Sequence, residues 1–339
     1  MSEALQSALA EALAELVTMI DTCDDDEMLD QDIAVKWLES TGYVLGRLSE
    51  ADRRSLDRLF REAALRQEPG PWRESLLNVS EGFGLTVDLH DGQCDAVADL
   101  GRRFVAAVRD ADPATPVPTC PGWTLADLTR HVGAVHRWAG HIVGTRSATR
   151  VLAADLPLDL PEAPTAYPDW LADSAGACLN VLRNADPDTG VWSPGGDPHV
   201  RYYSRHLLTE LLVHLADAEL ALGGGVGPVE PSDAADGIDH FLTNAAYLPW
   251  VAEPVAGLGR DGEVLRLESA DTGAVWSVTL GGGGFVWRRT VDDDATATVR
   301  GGVADLLLYV HGRYEAGNPR LAVTGDRGLL DAWRDATAL

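Results

Sequence analysis

Lysine is almost missing from this 339-residue chain: Lys36 is its single example, and arginine supplies the rest of the 27 basic side chains. Against 53 acids these leave a net charge of −26. A chain so acidic repels phosphate backbones and anionic membrane surfaces unless folding assembles a basic patch, and the sequence holds no basic run. Neither nucleic acid nor membrane is an expected partner. Cysteine is scarce as well: Cys23, Cys94, Cys120 and Cys178 are scattered without CxxC spacing, which argues against a zinc ribbon or a disulfide scaffold. They read as reduced thiols. No apolar run approaches the ~20 residues that a bilayer-spanning helix needs. The opening Met1-Ser-Glu-Ala-Leu-Gln6 has an acid where a secretory signal carries positive charge, so a cytoplasmic protein is expected.

What is present is globular: 45% hydrophobic and 24% charged residues, with a mean hydropathy of −0.08. The length exceeds the ~250 residues at which single cores stop growing, so two or three domains are expected. The front, residues 1–90, reads as an acidic helical extension with a charge of −11. Its first helix candidate, Glu3 to Ile20, carries an apolar stripe of Leu5, Leu9, Leu13, Leu16 and Ile20. Asp32 to Leu48 and Ser49 to Gln67 follow, the latter with Ser49 as cap and Asp52 three residues on. Pro69-Gly-Pro-Trp72 breaks that helix, and Gly82 to Gly92 reads as strand or linker.

Residues 91–250 predict a bundle of five helices, Cys94 to Asp110, Thr124 to Val143, Asp169 to Asn184, Val200 to Leu222 and Ser232 to Leu248, joined by proline-rich loops. From residue 251 the pattern shortens. Val264 to Glu268, Ala274 to Leu280, Phe285 to Arg289 and Ala295 to Val299 read as strands, and Gly302 to Tyr309 and Asp326 to Asp335 as closing helices. In the second strand Ala274, Trp276, Val278 and Leu280 share one face, with Val275, Ser277 and Thr279 on the other. The fold class expected is mainly α with a small C-terminal α+β domain over 251–339.

One bundle helix carries His206, Glu210 and His214 at i, i+4, i+8, so all three project from one face. Another carries His131 two turns beyond Thr124, a candidate cap, with Val135 and Trp138 on the same side. A histidine from one helix with a glutamate and a histidine four apart on another makes a two-His, one-carboxylate set that leaves coordination positions open. On its own, each part has a plainer reading: a solvated i,i+4 pair, and a hydrogen-bonded core histidine. His136 lies roughly 140° round the helix from His131 and is not expected as a ligand. Cys120, before a Pro-Gly turn, reads as a small buried apolar residue.

The runs Cys120-Pro-Gly-Trp-Thr-Leu-Ala-Asp-Leu-Thr-Arg-His131-Val-Gly-Ala-Val-His136-Arg-Trp138 and Thr209-Glu-Leu-Leu-Val-His214-Leu-Ala-Asp-Ala218 resemble the mycothiol-dependent maleylpyruvate isomerase family, whose bundle is DinB-like and up-and-down. Ala295 to Gly301, Ala304 to Leu308, Gly312-Arg313 and Val323 to Asp331 resemble its C-terminal domain, which is similar to sterol carrier proteins. The likeness runs from about Cys94 to the end. It implies His131, Glu210 and His214 as ligands of a divalent ion, zinc first, and mycothiol as the thiol cofactor. Asp217, one turn past His214, is close enough to orient that imidazole, its plainer reading being an exposed helix acid. Arg313 is a candidate anchor for a substrate carboxylate, its plainer reading being a surface arginine near a helix C-terminus. Three departures stand out: Thr209 where the family has histidine, His311 where it has tryptophan, and Leu215-Ala216 in place of an Arg-Trp pair.

The implied reaction rests on the acidity of a metal-bound thiol, which ionises near neutral pH where a free thiol at pKa ~8.5 mostly does not. The thiolate would attack an electrophilic small molecule, as an S-transferase or as a thiol-assisted cis-trans isomerase, and the departures favour a transferase with a substrate other than maleylpyruvate. The reading from another class is a non-enzymatic metal-containing regulator or adaptor that uses the acidic front unit to bind a protein partner.

Overall fold

The computed structural model describes residues 3–22, 30–45, 48, 53, 56–57, 59–60, 63–64, 66–68, 70–83, 89–289 and 294–337. The chain divides into two compact units, residues 1–89 and 90–339.

In the first unit, α1 (Glu3–Asp21), α2 (Gln31–Leu45) and α3 (Pro71–Gly82) are helices. The buried stripe of α1 is Ala10, Ala14 and Val17, packed with Phe60 and with Leu76 and Val79 of α3. That corrects the leucine stripe: Leu13 packs at the edge of this core, but Leu9 and Leu16 are exposed. Small side chains at the seam let helix backbones approach closely, which leucines there would prevent. The expected helix Ser49 to Gln67, with its cap, falls largely on residues outside those described. Pro71 does more than break a helix, because it opens α3 at a position where its missing N–H costs nothing.

The second unit begins with α4 (Leu89–Val108), so Leu89 to Gly92, expected as linker, are already helical. His90 is buried there, its ring nitrogens 2.9 Å from Ser204 Oγ and 3.0 Å from the Leu182 carbonyl. Next come α5 (Leu125–Thr145), α6 (Tyr167–Arg183), α7 (Arg201–Ala221) and α8 (Pro231–Tyr247). Helix α5 starts at the expected cap: Thr124 Oγ1 accepts from the Asp127 N–H, and the Asp127 carboxylate accepts from the Thr124 N–H at 3.1 Å. Helix α7 is the axis of the bundle, with 14 of its 21 residues buried. A short helix the sequence reading leaves unassigned, α9 (Pro249–Ala256), turns the chain towards the sheet.

Strands β1 (Val264–Ser269), β2 (Val275–Gly281), β3 (Gly284–Arg288), β4 (Ala297–Gly301) and β5 (Ala322–Gly325) form one sheet in the order β3-β2-β1-β4-β5. Only β1 and β4 run parallel, with Leu267 opposite Val299. Trp276, Val278 and Leu280 are buried, but so is Ser277 on the other face, and β5 was not anticipated. Helices α10 (Val303–Val310) and α11 (Arg327–Ala336) cover the sheet's apolar side. A single core runs from Cys94 through α7 and α8 to Trp333, so bundle and sheet share their buried side chains. The observed class is therefore mainly α with a C-terminal α+β part. Among the described residues no helix is long and apolar enough to cross a membrane.

The cap makes a testable contribution. Thr124→Ala leaves the first N–H groups of α5 without their side-chain acceptor and should cost about 1 kcal/mol in urea unfolding, while Thr124→Ser should sit near the parent. An unchanged midpoint for the alanine variant would show that the cap is not stabilising the helix.

Candidate metal and thiol site

Helix α7 is long enough to place His206, Glu210 and His214 along one wall of a cavity of about 530 Å³, and α5 brings His131 to the same wall. The donor atoms of His131, Glu210 and His214 all lie within 4.8 Å of one another. Glu210 Oε2 is 3.4 Å from Nε2 of each of His131 and His214. Trp123 packs against His131 with ring centroids 5.1 Å apart, and the two imidazoles meet edge-on at 4.8 Å. His206 Nε2 stays 3.9 Å from Glu210 Oε1 and outside the cluster. His136 turns away, buried, with Nδ1 donating to the Val132 carbonyl at 2.8 Å.

The orientation of His214 is fixed from behind. Its Nδ1 donates to Asp217 Oδ2 at 2.9 Å, which leaves Nε2 facing Glu210, where it can carry a proton in the imidazolium or a lone pair for an ion that displaces that proton. Burial would lower the His214 pKa, but Asp217 and Glu210 raise it to about 9. Burial would likewise raise the Glu210 carboxyl, yet hydrogen bonds from His131 and His214 hold it well below the usual range. Two imidazole nitrogens and a carboxylate oxygen, gathered within 4.8 Å of one another, are a donor set that suits a borderline-soft divalent ion.

Asp217 is fully buried, its own carboxyl lowered despite desolvation by His214 and Arg313. Arg313 reaches it from the far end of α10. That helix closes on a Schellman turn: Gly312, at φ +75°, donates to the Tyr309 carbonyl at 3.0 Å and Arg313 donates to the Leu308 carbonyl at 2.8 Å. The turn aims the guanidinium back at α7. Its Nε donates to Asp217 Oδ1 and its Nη2 to Oδ2, both at 3.1 Å, and its Nη1 donates to the His311 carbonyl at 2.7 Å. Arg313, a candidate anchor for a substrate carboxylate, is thus bound to a carboxylate of the protein itself.

Cys120 also differs from expectation. Cys120-Pro-Gly-Trp123 is a tight turn closed by the Trp123 N–H donating to the Cys120 carbonyl at 3.0 Å, with Gly122 at φ +85°, the left-handed third position of a type II turn. The turn presents the half-buried Cys120 thiol to the cavity wall, where it donates to Asp217 Oδ2 at 3.4 Å. Burial, then the Asp217 charge, pushes this thiol up to about 11, so it is a protonated donor and not a nucleophile.

Beside His206 the cavity is lined by a polar cluster whose other members the sequence reading missed. His206 Nδ1 is 3.3 Å from His240 Nε2, which in turn lies 2.9 Å from Asn244 Nδ2; Tyr202 stacks on His206 at 5.4 Å. His240 and Asn244, four apart on α8, were visible as a pair, but nothing in the sequence said that α8 faces α7 there. Burial lowers both His206 and His240, leaving them neutral at pH 7.

Comparison with known proteins bears on this geometry. Residues 94–219, which span α4 to α7 and contain His131, Glu210, His214 and Asp217, match the model of the mycothiol maleylpyruvate isomerase N-terminal domain. The match takes in about a third of the chain and marks this segment as similar to that domain. Among solved structures, the mycothiol-dependent maleylpyruvate isomerase is similar at 15% identity, over 69% of this chain and 92% of that one, with a TM-score of 0.43. A mutant form of that isomerase gives 13%, the same coverage and 0.45. A ubiquinone synthesis protein, UbiJ-SCP2, matches at 18% identity over 33% of this chain and 93% of that one, with a TM-score of 0.26. No curated protein sequence matches the chain.

The buried Asp217–Arg313 pair can be tested by a double-mutant cycle. Asp217→Ala or Arg313→Ala alone leaves a charge stranded in the interior and should cost about 3 kcal/mol in chemical unfolding. The double variant should cost less than the two together, by about 1 kcal/mol or more. Strict additivity would show that the two do not act as a pair.

Proposed function

We propose that the second unit is a metal- and mycothiol-dependent enzyme that presents a thiol to an electrophilic small molecule, as an S-transferase or as a thiol-assisted cis-trans isomerase. The observation that carries this reading is the convergence of His131, Glu210 and His214 donor atoms on the wall of a cavity large enough for a ligand, within a segment similar to that family's domain. The three residues would hold a divalent ion, zinc being the one this donor set suits best. When bound, such an ion lowers the pKa of a thiol that coordinates it, so that the nucleophile exists at neutral pH.

The chain's own residues do the rest. Asp217 holds the His214 imidazole with Nδ1 protonated and Nε2 facing the cavity, and Arg313 keeps Asp217 ionised and in place. Trp123, seated on His131, limits the rotation of that ring. A thiol so held would supply the nucleophile for an electrophilic carbon, and these residues would serve equally a transferase, which keeps the C–S bond and releases a leaving group or takes up a proton, and an isomerase, which breaks that bond again.

Residues 1–90 supply none of these groups, and we read them as a helical appendage, with 91–250 and 251–339 as the bundle and the sterol-carrier-like part of the enzyme.

Metal content by elemental analysis should be about one ion per chain, and His131→Ala, Glu210→Ala and His214→Ala should each lose it while His206→Ala keeps it. Full metal in the Glu210 and His214 variants would remove the site assignment. Activity with an electrophile should require mycothiol, stop on chelation, and be poorly supported by glutathione. One ion per chain with no thiol-dependent turnover would instead favour a metal-containing regulator. A chain beginning at Gly84, which keeps the buried His90 at the start of α4, should fold, bind the same metal and turn over at nearly the full-length rate. Collapse of turnover with metal retained would make the front unit part of the active site.

A further inference from the structure

The cavity is short of positive charge. Among the described residues that line it, Arg313 is the one guanidinium, and both edges of its planar fork are committed: Nε and Nη2 to the Asp217 carboxylate at 3.1 Å, and Nη1 to the His311 carbonyl at 2.7 Å. Arg205, the next cation near His240, does not line the cavity and is held by Asp236 at 2.7 and 2.9 Å. The charges of a dication and Arg313 are cancelled by Glu210, Asp217 and one thiolate. A carboxylate entering beside them finds no unpaired cation, and a desolvated, unpaired carboxylate is costly. The net charge of −26 adds a general repulsion of anions.

What the cavity offers instead is hydrogen-bond acceptors and aromatic faces. His311 Nδ1 donates to the Leu307 carbonyl at 2.9 Å, so in the neutral ring Nε2 carries a lone pair. Burial pushes its pKa down to about 4, which keeps the ring neutral at pH 7. The ring packs on Phe241, centroids 4.8 Å apart, and both line the cavity. Trp250 lines it too while remaining 60% exposed, which marks the mouth with a large flat ring.

Resting on the thiol-enzyme reading above, we propose that the electrophile taken by this cavity is an uncharged molecule with a flat apolar body and an N–H or O–H group that donates to His311 Nε2, and not a carboxylate. His311 is then a specificity-determining residue. A carboxylic acid of the same shape is rejected because it brings a charge that Arg313 cannot meet, and a molecule without the donor covers the His311 acceptor without pairing it.

Binding, not turnover, tests this on the full-length protein loaded with zinc and saturated with mycothiol, so that the thiolate completes the charge balance. Equilibrium dialysis is run with three probes of nearly one shape: 2-naphthamide, 2-naphthoate and N,N-dimethyl-2-naphthamide. The amide should bind at least about tenfold more tightly than either of the others, the discrimination expected when a buried polar partner is left unpaired. In His311→Phe, which retains the ring packing on Phe241, that advantage over the dimethylamide should vanish. Naphthoate binding as tightly as the amide, a dimethylamide as tight as the amide in the native protein, or no amide binding up to its solubility would each overturn the proposal. Thiol-dependent turnover, measured on the same preparation, separates the two readings. Turnover with a carboxylate preference defeats this inference alone, whereas the amide preference without turnover defeats the enzyme reading and leaves the ligand class standing.

Discussion

A carboxylate with no exposure to water, caught between an imidazole and a guanidinium, is the constraint on which the second unit depends. Asp217 sits on the central helix α7, one turn past His214, and accepts from Arg313 at the end of α10. Removed from water, the charge is tolerable only while both partners are present. The pair therefore ties α10 and its Schellman turn to the bundle, and the Asp217 contact sets which nitrogen of His214 faces the cavity. Fold and chemistry are coupled through one side chain.

The cavity takes its character from that arrangement. Arg313 is bound to Asp217 and Cys120 donates to the same carboxylate, so the polar groups behind His214 are already partnered. His206, His240, Asn244 and His311 line the same cavity with polar side chains. Arg313, expected from the sequence as an anchor for a substrate carboxylate, is engaged by a carboxylate that in turn holds His214.

Much of this was open to sequence reading where the signal is local. The spacing of His206, Glu210 and His214 puts them on one face of one helix, and the Thr124-to-Asp127 cap is written within four residues. The helices of the bundle and four of the five strands follow from their periodicity. What escaped depends on long-range packing. The seam of α1 is built on alanines, which carry little pattern, while its leucines face out. Helix α9 and strand β5 are too short to show a period, and proline within α9 disguises it. The commitment of Arg313 could not be read at all, because Asp217 lies 96 residues away. The Ser49 to Gln67 segment falls mostly outside the described residues and adds nothing either way.

The central claim is that His131, Glu210 and His214 hold an ion with a position left for a thiol, and X-ray absorption at the zinc edge addresses it directly. Zinc-loaded protein alone should show a first shell of nitrogen and oxygen only. Addition of mycothiol should bring one sulfur into that shell at about 2.3 Å, with the histidine scattering retained. A shell that stays free of sulfur at saturating mycothiol, or one that already contains a protein sulfur before mycothiol is added, would contradict it.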